Sequence, residues 1–391
     1  MSRLLIAFLI MNSCLLIAGC AAGRPEPMGR GTLLPPEPVS REPVDPVGLG
    51  LSWLTHKQAS DGRWSSHDPA NERVDGGYSG FDVGVTSLAL LAYVNYGETH
   101  RSAMYPQFKD SVQRGVDWLL AQQELDSQEQ GSGRFGAVAR DRWIYNHALA
   151  TWACAELLTM SYDERLRQPV AAAVELILRV QNADDGWRYG YGATTSDTSV
   201  TAFVIAALRA ASTCAELGLV DLQKELVDGA MDRAAHWVRK QADRHSRYCY
   251  GAGLTSSSFG EPSVTPAPLP ASTAAGLFAQ SLARHNIRKS EHHRQALDLL
   301  DAQLPQWAPG ADAAKAPNSV DLCYWYFGTF AQWIRGGEAH ERWRRAVSAA
   351  LLPTQIQVGP DSGSWDPIGR WGVVGGRVYA TALSVMILEF P

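Results

Sequence analysis

Six stretches of the chain place apolar residues three and four positions apart and then reach a glutamine: "LGLSWLTHKQASDGRW", "QRGVDWLLAQQ", "AAVELILRVQNADDGW", "DRAAHWVRKQ", "ALDLLDAQLPQW" and "RRAVSAALLPTQ". The glutamines are Gln58, Gln122, Gln181, Gln241, Gln303 and Gln355, spaced 64, 59, 60, 62 and 52 residues apart. A turn follows, in four copies with glycine and an aromatic: Gly62-Arg63-Trp64, Gly133-Arg134-Phe135, Gly186-Trp187 and Gly363-Ser364-Trp365. Next comes a stretch apolar nearly all round: "VGVTSLALLAYV", "NHALATWACAELL", "TSVTAFVIAALRAA", "STAAGLFAQSLA", "LCYWYFGTFAQWI" and "VYATALSVMILE". The first kind predicts an amphipathic helix at the surface, and the second a helix that must be covered on every side. Six such hairpins make twelve helices.

Hairpins repeating at this period stack either as an open solenoid or as a closed ring. An open solenoid needs polar terminal caps, yet the last hairpin, ending "ALSVMILEFP", is as apolar as the middle ones. The pattern therefore predicts an all-α fold, an (α/α)6 toroid with inner and outer rings of helices around a central cavity. Residues 254–270 ("LTSSSFGEPSVTPAPLP") and 308–319 ("APGADAAKAPNS") lack a period and are predicted to be loops over one rim.

Outside the repeats the pattern changes. Residues 1–20, "MSRLLIAFLIMNSCLLIAGC", join a basic start to a short apolar run ending in small residues, the layout of an export signal. Residues 24–47 carry seven prolines and no period, so 21–47 is read as a tether, reaching at most roughly 70 Å at a polyproline rise of about 3.1 Å per residue. Residues 48–391 form one toroid domain. After residue 20 the sequence reading finds no apolar run long enough to cross a bilayer. A net charge of −5 with both signs interspersed excludes an electrostatic footprint for nucleic acid. Cys154, Cys214, Cys249 and Cys323 lack paired spacing and read as core thiols.

The recurring glutamine, the Gly-x-Trp turn (complete in Gln58-Ala59-Ser60-Asp61-Gly62-Arg63-Trp64) and the apolar helix after it resemble the repeats of terpenoid cyclases and protein prenyltransferase β subunits, over nearly all of residues 48–391. Ile17-Ala18-Gly19-Cys20 is similar to a bacterial lipobox, which implies lipidation at Cys20 and resemblance to envelope lipoproteins with squalene-cyclase-type repeats. Class II cyclases protonate their substrate with an acid of a D-x-D-D-T motif. The matching stretch here, "TTSDT", has Thr194 and Ser196 where the first two acids belong and keeps only Asp197. A serine hydroxyl is far too weak an acid for that step.

Prenyltransferase β subunits hold zinc with an Asp-x-Cys pair and a histidine, and Asp321 and Cys323 match the first half of that pattern. The last hairpin has Arg377, Val378 and Tyr379 near the expected third position and no histidine, so the set is short of the three protein ligands zinc takes. The other reading makes Asp321 a helix N-cap, as Asp82 and Asp197 would be in hairpins one and three, and Cys323 a buried thiol. "YCYGAG", residues 248–253, is similar to the zinc-cysteine segment of lanthionine synthetase cyclases, without their Cys-His segment. His147 at the start of an inner helix is either a catalytic or a hydrogen-bonded structural residue. Trp325, Tyr326 and Tyr379 are candidates to line an apolar cavity, with Asp82 at its rim, or else are core packing. Glycosidases on this scaffold need paired carboxylates, and the adjacent Asp184 and Asp185 are expected to face solvent. Together these readings describe an exported, lipid-anchored protein of the bacterial envelope that binds an apolar or isoprenoid-like ligand or a protein partner, with no cofactor. The alternative is an enzyme acting on a terpenoid or prenyl substrate through rim residues of the central cavity, Asp197, Asp321 or His147.

Overall fold

The computed structural model describes residues 45–67, 79–101, 105–125, 132–137, 143–251, 269–307 and 320–391. The export signal with Cys20, most of the tether and nearly all of both predicted rim loops lie outside them.

Among the described residues, twelve α-helices alternate between two rings. The outer ones are α1 (Pro46–Lys57), α3 (Pro106–Ala121), α5 (Arg167–Arg179), α7 (Lys224–Lys240), α9 (Glu291–Asp301) and α11 (Gly337–Leu351). The inner ones are α2 (Asp82–Tyr96), α4 (Trp143–Ser161), α6 (Thr198–Glu216), α8 (Pro270–Leu282), α10 (Leu322–Arg335) and α12 (Gly369–Leu388). Each inner helix packs against the inner helices before and after it, and α12 packs against α2, so the ring closes. The physical reason is the one the pattern implies: inner helices are buried along nearly their whole length, whereas α5 buries only one face, through Val170, Ala173, Val174 and Ile177. Helix α1 starts at Pro46, two residues before residue 48, with the Asp45 carboxylate accepting from the amide of Gly48 at 2.9 Å. Two stretches, Thr198–Glu216 and Trp371–Leu388, are long and apolar enough to cross a membrane, contrary to the sequence reading. Both belong to the inner ring, where 83% and 78% of those windows are buried by neighbouring helices.

Three of the six repeat glutamines, Gln58, Gln181 and Gln355, join neighbouring hairpins, whereas Gln241 donates to the Trp237 carbonyl of its own helix. The Gln58 amide donates to the carbonyl of Gly62 in its own turn and to that of Ser111 in the next outer helix, at 2.8 and 2.9 Å. Gln181 does the same with Asp185 and Ala230. Gln355, the last, donates to Gly363 and back to Pro46 at 2.7 Å, tying the end of the chain to its first helix. In the second repeat this residue is Gln123, which bonds Gly133 and Pro169, and not Gln122. Adjacent glutamines are alternatives that only the neighbouring helix distinguishes.

The turn aromatics point inward, with Trp64, Trp187 and Trp365 donating their indole N–H to carbonyls of the preceding outer helix. Two positions before each aromatic the backbone is left-handed, at Gly62, Gly133, Asp185, Ser246 and Gly363. In the third copy that position is Asp185 (φ 76°), so Gly186 is not the turn glycine the sequence reading made it. Asp and Asn tolerate this conformation better than most residues. A Cβ on Gly62 would lie 2.3 Å from the carbonyl oxygen of Arg114, so that copy needs glycine for space as well.

Candidate functional site

The inner helices all run in one direction, so their N-terminal turns surround one end of the lumen. A cavity of about 140 Å3 opens there to solvent. Its wall is largely apolar, from Val85 and Leu88 of α2, Leu149 of α4, Phe203 of α6, Phe327 of α10 and Leu383 of α12. Helix α12 is broken at Gly376 (φ 71°), and both its parts reach the cavity: Trp371 and Val374 before the break, Tyr379 after it.

Polar atoms collect near the N-terminal turns. The Tyr145 hydroxyl lies 2.8 Å from that of Ser199, which donates to the Asp197 carboxylate at 2.6 Å. Asp197 also accepts from the Tyr189 hydroxyl and from the amides of Ser199 and Val200, so it caps α6. Burial holds its carboxyl above the usual carboxylate range against the lowering effect of these donors. Asp197 itself does not line the cavity and reaches it through Ser199 and Tyr145. Asn146, also on the wall, spends its side chain on backbone, accepting from Gly84 and donating to Gly80.

The Asp321 carboxylate accepts from the amide of Tyr324 at 2.9 Å and caps α10. Cys323 faces the cavity, with its sulfur 3.1 Å from the Tyr379 hydroxyl, and burial pushes its thiol up to about 12. Zinc takes a thiolate and at least three protein ligands. Among the described residues no three His, Cys, Asp or Glu side chains form a group able to hold a metal. The Asp321 and Cys323 pair therefore does not fit the ion. Cys249 of "YCYG" is half-buried with its thiol also raised by burial, and its neighbour Tyr250 is the residue of that segment on the cavity wall.

Geometry corrects or decides four expectations. Asp82 does not cap α2: its carboxylate accepts from the amide and hydroxyl of Ser66 and the hydroxyl of Ser65, holding the turn behind the helix and away from the cavity. His147 faces the outer ring, accepting from the amide of Phe135 at Nδ1 and lying 3.1 Å from the carbonyl of Ala173 at Nε2. Burial holds it down to about 4, so it is the neutral Nε2–H form, a structural link. Trp325 is buried against Trp307 and Tyr326 lines a different cavity at the opposite end of the lumen. Asp184 does not face solvent freely: its carboxylate accepts from the amide and hydroxyl of Ser196, while Asp185 pairs with Arg233 at 3.4 Å.

The role of His147 becomes legible only by aligning the inner helices. Thr86, Thr201, Thr273 and Thr381 sit at the same position and accept the turn amides of Trp64, Trp187, Tyr248 and Trp365. Tyr145 and Ser199, which carry the polar contacts of the cavity, gave no signal in the sequence beyond standing at inner-helix starts.

No family model and no curated protein matches the chain. Solved structures do. An inactive variant of the alpha-1,6-mannanase GH76A of Salegentibacter sp. HEL1_6 in complex with alpha-1,6-mannotriose aligns with a TM-score of 0.57 at 11% identity, covering 88% of this chain and 97% of that one. An unsaturated glucuronyl hydrolase specific for heparin aligns with 0.57 at 10% identity over 88% and 95%. A variant of the type II terpene cyclase MstE from Scytonema, in complex with merosterolic acid A, aligns with 0.53 at 14% identity over 88% and 95%. At these identities the likeness is one of fold, and this chain is an all-α, α/α toroid. Within that class its upper lumen is walled mainly by apolar side chains.

Proposed function

We propose that the toroid binds an apolar, isoprenoid-like small molecule in the upper cavity without cyclising it, as the body of a lipid-anchored envelope protein. The observation that carries this reading is the wall itself. A cavity lined by Leu88, Leu149, Phe203, Phe327 and Leu383, with polar atoms confined to the helix starts, suits a long apolar ligand with one polar end. Among the described residues no carboxylate lines it, whereas a canonical glycosidase needs two flanking the scissile bond. Ser196 is fully buried and its hydroxyl is engaged by Asp184, which removes the position where the class II acid would stand.

One observation favours turnover as a second reading. Asp197 is a buried carboxyl with raised proton affinity, connected to the cavity through Ser199 and Tyr145. Asp197→Asn would then abolish turnover of a bound prenyl substrate while leaving its binding intact.

Native mass spectrometry of the full chain purified from its own host tests the binding reading. The expected result is an adduct of one small apolar molecule, displaced by added geranylgeraniol and diminished in Leu149→Trp, which narrows the cavity. A bare mass together with no saturable uptake of geranylgeraniol would overturn it.

A further inference from the structure

The lumen holds a second chamber at its other end. Down α4 the upper cavity is lined by Tyr145, Asn146 and Leu149 and the lower one by Trp152, Glu156 and Thr159; down α6 the lining passes from Ser199 and Phe203 to Ala206, Ala210 and Thr213. Phe327 faces the upper chamber and Tyr326 the lower. The ring of Phe327 packs 5.1 Å from that of Phe203 and 4.9 Å from that of Phe278, a partition between the two. The lower chamber is narrow, a cavity of about 50 Å3 that opens to solvent.

Its chemistry differs from that above. Trp152, Phe278 and Tyr326 surround it with ring centroids 6.0 to 6.4 Å apart, and Phe390 closes on Tyr326 and Phe330 from the chain end. On this aromatic wall stands one carboxyl, Glu156, whose single hydrogen-bond partner among the described residues is the Trp152 indole N–H, a long contact of 3.2 Å. A carboxylate accepts about four hydrogen bonds when satisfied. The six inner helices all end toward this mouth, and helix C-termini favour positive charge. The cation already on the wall, Arg209, donates through Nε to the carbonyl of Leu282 at the end of α8, at 2.7 Å.

We infer that the lower chamber is a binding site for an organic ammonium ion, a primary amine on a short apolar body, held by the Glu156 carboxylate and the faces of Trp152 and Tyr326. An ammonium donates charge-assisted hydrogen bonds to a carboxylate, and aromatic faces attract a desolvated cation. This site is independent of what occupies the upper chamber.

The titratable and charged groups around Glu156 are Arg209 and Cys214 of α6, Tyr326 of α10 and Glu389 after α12. Burial raises the Cys214 thiol to about 12 and the Tyr326 hydroxyl further still, so neither titrates near neutrality. Burial likewise raises Glu156 to about 7. An alkylammonium stays protonated throughout this range, with a pKa near that of lysine, about 10.4. Its affinity is therefore expected to rise about tenfold from pH 6 to pH 8 as Glu156 ionises.

Isothermal titration calorimetry of the full chain with hexylammonium tests this, with hexanol and hexanoate as matched controls. Saturable binding of hexylammonium alone, rising with pH, is expected, and Glu156→Gln should weaken it at least about tenfold and flatten its pH dependence. Equal binding of hexanol or hexanoate, or a flat pH profile in the unaltered chain, would overturn the assignment whether or not the variant folds. Geranylgeraniol should not compete with hexylammonium, so failure of this site and failure of the upper one are separable; competition would mean that there is one site, in the upper chamber.

Discussion

A single hydrogen bond decides how Asp321 is understood. Its carboxylate caps α10 through Tyr324, and the neighbouring thiol is held protonated by burial. Asp321→Ala should lower stability by roughly 0.5 to 2 kcal/mol in a denaturant titration and leave ligand binding in the upper cavity unchanged. His147 offers a pH test. Its folded-state pKa of about 4 lies below the ordinary 6.5, so between those values the unfolded chain binds the extra proton. Stability contributed by the neutral ring is complete above about pH 6.5 and is lost as pH falls toward 4, by about 3 kcal/mol in all. His147→Thr, the residue used by four other repeats, keeps an acceptor for the Phe135 amide and removes the titration. Its urea-unfolding free energy should vary less between pH 4 and 6.5 than that of the unaltered protein. Asp321 was open to both readings in the sequence because a cap and a ligand use the same residue type. Its partner lies three residues on, while whether a metal group forms among the described residues depends on what α12 brings opposite it.

Between elements, the glutamine staples carry the strongest expectation. Gln355 makes one hydrogen bond across the seam to Pro46 of α1 and one within its own turn to Gly363, and it is buried. Its replacement by Ala leaves two carbonyls without their donor, at a cost of about 1 to 3 kcal/mol, and amide exchange should quicken first in α1. Gln303 is exposed, so Gln303→Ala should change stability by no more than about 0.5 kcal/mol. Thermal melts of the two variants side by side check this contrast. The sequence treated both glutamines as copies of one motif. Their difference is invisible without the neighbouring outer helix, since one amide finds a carbonyl there and the other side chain stays exposed. The same limit explains Gln122 and Gln123, and Asp185 standing where a glycine was expected.

At the scale of the whole molecule, the closed ring makes two chambers from one lumen, an apolar one at the inner-helix starts and an aromatic one with a carboxyl at their ends. A tethered, lipid-anchored form of this body is part of the proposed function and rests on the lipobox resemblance at Cys20. Cys20→Ser should shift the protein from the membrane pellet to the soluble fraction on ultracentrifugation of lysed cells, and continued pelleting would reject the anchor.

The sequence by itself determined the class of fold, because amphipathic and all-round apolar helices in alternation can be buried together only as two layers, and an apolar last hairpin has nowhere to go except against the first. It also leaves Thr194 and Ser196 where the resemblance to class II cyclases implies acids, and a serine cannot stand in for a carboxyl. Only the tertiary structure decided which way each inner-helix residue points. His147 and Asp82 turned out to bind backbone and turn, Trp325 to pack outside the lumen, and Tyr145, Ser199 and Glu156 to reach it. Lining a lumen depends on a residue's angle about its own helix relative to five others, and that angle is set by packing across the ring.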